Sequence, residues 1–209
     1  MVKVFDLDGT LLDSNGIWAA VDQQFVSQFG KKLTDDYNQY VAHAIFPDAA
    51  QFTKQYYHLE LSEEEIMAQW KALAYRAYAE ELVLKPNAKR YLELCKKAGE
   101  RIVLYTSSEP SLCMAALQHH KITALFEHIF FAQELAIEKK YPESFSKLSR
   151  LLDVAPSECS LLDDSPVAWA SAKTAGWHII GMADRFFAPQ QEAKQYLCDR
   201  YIHDFSELM

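Results

Sequence analysis

Asp6 and Asp8 stand two residues apart in the run Val2-Lys3-Val4-Phe5-Asp6-Leu7-Asp8-Gly9-Thr10, where an apolar stretch meets a residue that can turn. Val2, Val4 and Phe5 favour extended chain in a run too short for an isolated helix, and Gly9 is free to take a positive φ. Side chains two apart on a strand point the same way, so both carboxylates can reach one small volume. At roughly 4 Å and an effective dielectric of about 20, two such charges repel by about 4 kcal/mol. A nearby cation would offset that cost. Three more clusters lie further along the chain: Thr106-Ser107, Lys139-Lys140 and Asp163-Asp164-Ser165. Taken singly, each reads as a helix cap or a solvated charge. Together they supply a nucleophile, a hydroxyl, an anion binder and divalent-metal ligands.

These residues need elements to carry them to one place. Apolar runs at Arg101–Thr106, His128–Ala132, Cys159–Asp163 and Trp177–Gly181 read as strands. Between them lie helices from Pro86 to Ala98, Pro110 to His120 and Pro142 to Asp153, and one ending at Gly176. Proline at the start and glycine past the end is the expected asymmetry of helices. Alternation of this kind predicts an α/β fold, a parallel sheet with helices on both faces, and ligands gather at the carboxyl ends of such strands. Residues 15–85 differ. They carry 3.6-period stretches such as Ile17-Val21-Phe25-Phe29 and Ile66-Trp70-Leu73-Ala77, and Ser62 with Glu65 forms a capping box. An all-helical insertion over 15–85, within a core of 1–14 and 86–209, is expected.

A hydrophobic fraction of 50% over 209 residues supports a sizeable core. The net charge of −8 leaves no basic footprint for nucleic acid. No apolar segment is long enough to span a membrane. Cys95, Cys113, Cys159 and Cys198 form no CxxC pair, which excludes a zinc ribbon and suits reduced thiols in a cytoplasmic protein. The early Asp6 breaks any signal-peptide pattern. His119-His120 is a poor metal pair, because adjacent helical side chains diverge by about 100°. The charge favours a small soluble ligand, with no nucleic acid, membrane or obligate protein partner expected.

Asp6-Leu7-Asp8-Gly9-Thr10-Leu11-Leu12-Asp13-Ser14, Thr106-Ser107, Lys139 and Asp163-Asp164-Ser165-Pro166 resemble, in order, the four motifs of the haloacid dehalogenase-like hydrolases. The helical insertion resembles the cap of their phosphoglycolate phosphatase and β-phosphoglucomutase branch. The resemblance implies a Rossmann-like core with a cap, and a Mg²⁺-dependent phosphatase that acts on a small phosphorylated metabolite through an aspartyl phosphate. It makes Asp6 the nucleophile and Asp8 the general acid and base. Thr106 would bind a phosphoryl oxygen, Lys139 would neutralise charge, and Asp164 would hold Mg²⁺ with Asp6 and the backbone carbonyl of Asp8. Gly9, Thr10 and Ser107 are expected to bind substrate.

Chemistry supports those roles. Phosphate monoester hydrolysis is extremely slow in water, so splitting it into two displacements lowers the barrier. Asp8 must give and then take a proton, and neighbouring carboxylates are expected to raise its pKa. Counting back from Pro142 selects Lys139, with Lys140 as the alternative. Asp163 replaces the family's more usual Gly or Glu, and is expected to assist Asp164 through a metal-bound water. In the insertion, the His43–Phe46 loop is a candidate for facing substrate, with His43 and Phe46 as its contacts. Two other readings stay open: a phosphosugar mutase, and a non-catalytic phosphate-binding or receiver-like module.

Overall fold

The short apolar runs pair as parallel strands because each is flanked by a helix long enough to carry the chain back across the sheet. In this computed structural model, which describes residues 1–41 and 44–209, the strands are β1 (Val2–Phe5), β2 (Arg101–Thr106), β3 (His128–Phe131), β4 (Cys159–Asp163), β5 (His178–Met182) and β6 (Arg200–Ile202). They form one sheet in the order β3-β2-β1-β4-β5-β6, parallel throughout. β1 is central. Val2 registers with Arg101 on one side and Cys159 on the other, and Phe5 with Leu104 and Leu162. The strand order reverses between β1 and β4, so the loops leaving them part and open a crevice at their carboxyl ends.

Alternating residues divide the core into two layers. Phe5, Ile102, Leu104, Leu162 and Met182 pack on one face with α5 (Ala88–Lys97) and α6 (Pro110–His119). Val2, Val4, Val103, Tyr105, Leu161 and Ile179 pack on the other with α8 (Pro142–Leu152) and α9 (Pro166–Thr174). The first layer continues into the helices between β1 and α5, namely α1 (Asn15–Ser27), α2 (Asp35–Val41), α3 (Phe46–Tyr57) and α4 (Glu63–Arg76). Phe25, Ile66 and Trp70 are buried there as their spacing predicts, and the Ser62–Glu65 capping box forms. A single π turn, Ala77–Glu81, extends α4. The two linkers of this helical segment run side by side, with Asp13 N–H donating to the Val83 carbonyl at 3.0 Å and Lys85 N–H to that of Leu11 at 2.8 Å.

Several boundaries differ from expectation. The helix expected at Pro86 begins at Ala88, because Asn87 takes a left-handed φ of 61° that no helix continues. The third strand stops at Phe131, where the short α7 (Ala132–Leu135) begins. The last expected strand runs one residue later, His178–Met182. Beyond it, α10 (Ala188–Lys194) and the three-residue edge strand β6 lacked a clear sequence signal. Among the described residues no helix is long and apolar enough to cross a membrane.

Candidate active site

The ladder of β1 runs one residue past the strand, as Asp6 N–H donates to the Leu162 carbonyl at 2.9 Å. The chain then coils into a tight turn in which Leu11 and Leu12 N–H both reach the Leu7 carbonyl and Gly9 N–H reaches that of Leu12. Gly9 has φ of 78°, a region costly for any L side chain. This turn separates the two acids. Asp6 is held towards β4, and Asp8 towards the helical segment.

Asp6 Oδ1 accepts from Lys139 Nζ at 2.5 Å, and the same ammonium donates to Asp163 Oδ2 at 3.0 Å. Lys139 is thus the lysine brought to the site, while Lys140 pairs with Glu138 at 2.5 Å and lies over the Tyr141 ring. Asp164 Oδ2 accepts from Asn15 Nδ2 at 2.8 Å, and its Oδ1 from Thr10 Oγ1 at 3.3 Å. From behind, Gln191 Nε2 donates to the Asp164 and Met182 carbonyls at 2.6 and 2.9 Å, pinning the loop after β4 to the end of β5. Oxygens of Asp6, Asp163 and Asp164 lie within 4.8 Å of one another, all three residues buried. An all-oxygen carboxylate set of this size fits Mg²⁺, a hard cation that keeps several waters.

The electrostatics stem from that crowding. Burial, with the Asp163 and Asp8 charges adding to it, pushes Asp6 up to about 7 against the pull of Lys139. Burial and the charges of Asp163, Asp6 and Asp184 raise Asp164. Burial alone would lower Lys139, but the Asp163 and Asp6 carboxylates outweigh it and keep the ammonium charged. One lysine therefore serves two of three clustered acids, and a divalent cation would relieve the remaining repulsion.

Asp8 stands apart. Its Oδ1 accepts from Ser14 Oγ at 2.7 Å and from the Tyr78 hydroxyl at 2.5 Å. Its pKa is raised, as acid catalysis requires, but the cause differs from the expected one. Burial does it, opposed by the hydroxyls of Tyr78, Ser14 and Ser108. Thr106, at the end of β2, is buried and accepts Ser108 N–H at 3.0 Å, which leaves its own hydrogen free for an anion. Ser107 beside it is half-buried. Phe46 packs between Trp18 and Trp70, with centroids 5.8 and 5.5 Å away. His43 lies outside the described residues. Of the tempting histidine pair, His120 bonds the Leu82 carbonyl at 2.9 Å, a structural role.

Sequence reasoning gave no role to Asn15, Tyr78 or Gln191. Asn15 comes directly after the first motif, so a polar residue at that point was the available signal. The other two reach the site from distant segments and carried none.

The family model for haloacid dehalogenase-like hydrolases matches residues 3–182, and the chain belongs to that family. It is 26% identical over 187 residues to a protein named "Probable pseudouridine-5'-phosphatase" of Drosophila melanogaster, covering 87% of this chain and 80% of that one. It is also 26% identical over 220 residues to hexitol phosphatase A of Escherichia coli, covering 98% and 91%. In fold it is similar to a crystal structure of β-phosphoglucomutase from Clostridium difficile, with TM-score 0.81, 16% identity, and 100% and 92% covered.

Proposed function

We propose that this protein is a Mg²⁺-dependent phosphatase that hydrolyses a small organic phosphate monoester in two displacements through an aspartyl phosphate on Asp6. The observation that carries this reading is Lys139 bridging Asp6 and Asp163 while Asp8 is held separately by hydroxyls. The phosphatase names of the two relatives agree with it.

Asp6, Asp163, Asp164 and the backbone carbonyl of Asp8 would hold the ion. When bound, Mg²⁺ neutralises phosphoryl oxygens and so admits an anionic substrate to an anionic nucleophile. Asp6 attacks phosphorus. Lys139 and the Thr106 hydroxyl take the equatorial oxygens, where transition-state charge collects. Ser107 and the turn around Gly9 and Thr10 complete the phosphate site. Asp8 protonates the leaving oxygen and then, as a carboxylate, deprotonates the water that releases phosphate. We infer that residues 15–85 form a lid, hinged at 13–16 and 84–86. Four free cysteines and a net charge of −8 suit a small soluble substrate in the cytoplasm.

Asp6→Asn tests the reading. With Mg²⁺ and p-nitrophenyl phosphate, turnover should fall by about 10³-fold or more, since an amide is a poor nucleophile. EDTA should silence the wild type. Steady turnover of Asp6→Asn near the wild-type rate would refute the assignment.

A further inference from the structure

Tyr78 belongs to the helical segment, yet its hydroxyl lies 2.5 Å from Asp8 Oδ1 in the core. It sits on the π turn Ala77–Glu81, closed by Leu82 N–H donating to the Ala77 carbonyl at 2.9 Å. A π turn inserts one residue into the helical repeat and rotates the residues beyond it, and such turns concentrate at functional sites. The Tyr78 side chain is fully buried, with its ring 6.0 Å from that of Trp18.

The hydrogen-bond chain runs from Trp18 through Tyr78 to Asp8. Trp18 Nε1 lies 2.8 Å from the Tyr78 oxygen, and an indole N–H can only donate. The Tyr78 oxygen therefore accepts from Trp18, and its single proton goes to Asp8 Oδ1. Ser14 donates to the same oxygen at 2.7 Å. Oδ1 is thus an acceptor twice over, and a proton carried by Asp8 sits on Oδ2. A phenol keeps its proton at neutral pH, so Tyr78 is a donor. The Ser108 hydroxyl, buried beside both groups, makes no well-formed hydrogen bond among the described residues.

We propose that Tyr78, fixed by Trp18, is a positioning residue that makes Asp8 a one-sided acid, with its proton on Oδ2 for delivery to the leaving oxygen. In that step an Asp6 oxygen–phosphorus bond forms, the phosphorus–ester oxygen bond breaks, and the Asp8 Oδ2 proton moves to the departing oxygen. Both Trp18 and Tyr78 lie in the helical segment, so the acid is aligned only while that segment is seated on the core. A second contact ties the two together: Lys71 of α4 reaches Glu109, the cap of α6, at 2.8 Å. The proposal rests on the phosphatase reading of the same site.

A series of phosphate esters graded in leaving-group basicity, from p-nitrophenyl through phenyl to n-propyl phosphate, tests it. The parameter is kcat/KM with Mg²⁺, which reports steps only up to departure of the leaving group. A nitrophenolate leaves without a proton, whereas a propoxide needs one. In Tyr78→Phe, kcat/KM should fall about threefold on p-nitrophenyl phosphate and about a hundredfold on n-propyl phosphate, the scale of one acid–base contribution. Trp18→Phe, which keeps the phenol but frees its orientation, should steepen the series in the same direction to a smaller extent, and circular dichroism shows whether each variant is folded. An equal loss across the series in folded variants, or no loss, overturns the positioning role. Should the wild type hydrolyse none of the esters, the phosphatase reading fails instead.

Discussion

Gly9 and Asp164 meet so closely that a Cβ on Gly9 would lie 2.1 Å from Asp164 Oδ2 and 2.2 Å from Asn15 Nδ2. The absent side chain is what lets the turn after β1 press against the acid after β4. Gly9→Ala should displace Asp164 and also cost about 1–2 kcal/mol for a positive φ. Mg²⁺-dependent turnover should drop by at least about a hundredfold, with a lower melting temperature, since misplacing a site by about 1 Å can cost that much. Near-normal kinetics in this variant would show that Asp164 is not held against the turn.

Lys139 is a buried cation paired with both Asp6 and Asp163. Removing one partner of a buried pair costs about 3–5 kcal/mol, because the charge left behind has no counterpart. Lys139→Met should therefore be inactive and melt well below the wild type without metal, and added Mg²⁺ should raise its melting temperature more than it raises the wild type's. Lys140→Met, which breaks the pair with Glu138 and the contact with the Tyr141 ring but nothing at Asp6, should keep activity within about threefold and stability within about 1 kcal/mol. Thermal melts with and without Mg²⁺ separate the two lysines.

Asp163 and Asp164 should rank differently in metal binding. Asp164 is held by neutral donors, Asn15 and Thr10, whereas Asp163 gives Oδ2 to Lys139 and Oδ1 to Ser165 N–H at 2.8 Å. Asp164→Ala should raise the Mg²⁺ concentration for half-activity more than Asp163→Ala does. Ca²⁺ should inhibit, because its larger and looser shell spoils near-octahedral alignment. Metal titrations of activity would expose an inverted order.

Asp22, in α1, accepts from the Tyr37 hydroxyl at 3.3 Å, and burial lifts its pKa from 3.8 to about 7. Between those values the folded chain keeps a proton that the unfolded chain has lost. Stability therefore falls as pH rises from 3.8 to about 7, and levels off at higher pH. Asp22→Asn should flatten this decline and raise the melting temperature at pH 8 by at least about 2 °C, equivalent to at least roughly 0.5–1 kcal/mol. A fall in melting temperature at pH 8 would contradict it.

Much of the core was legible because its signals are local. Val2–Phe5, Arg101–Thr106 and Cys159–Asp163 are apolar runs closed by polar residues, and their ends deliver Asp6, Thr106, Asp163 and Asp164. Lys139 was reachable by its distance from Pro142, the first residue of α8. What escaped depends on long-range geometry. Tyr78 sits on a π turn that the 3.6 period does not contain, and Gln191 acts on Asp164 across the end of the sheet. The edge strand β6 spans three residues, too few for alternation to register. Burial, which governs the Asp8 pKa, cannot be counted from neighbouring letters in the sequence.

The register of β1 also sets an order of assembly. Its partners, Arg101–Leu104 and Cys159–Leu162, leave the ribosome long after Val2–Phe5 does. Until then an apolar strand waits with both edges unpaired, a form in which chains stick to one another. The helices of the intervening segment make mostly local contacts and form quickly, so they can fold while β1 is still waiting. A nascent chain halted before Cys159 would already carry Asp6, Asp8 and Lys139, but the strand they depend on would lack one of its two neighbours. Synthesis therefore completes the cluster only once residues 159–164 have emerged and β4 has paired with β1.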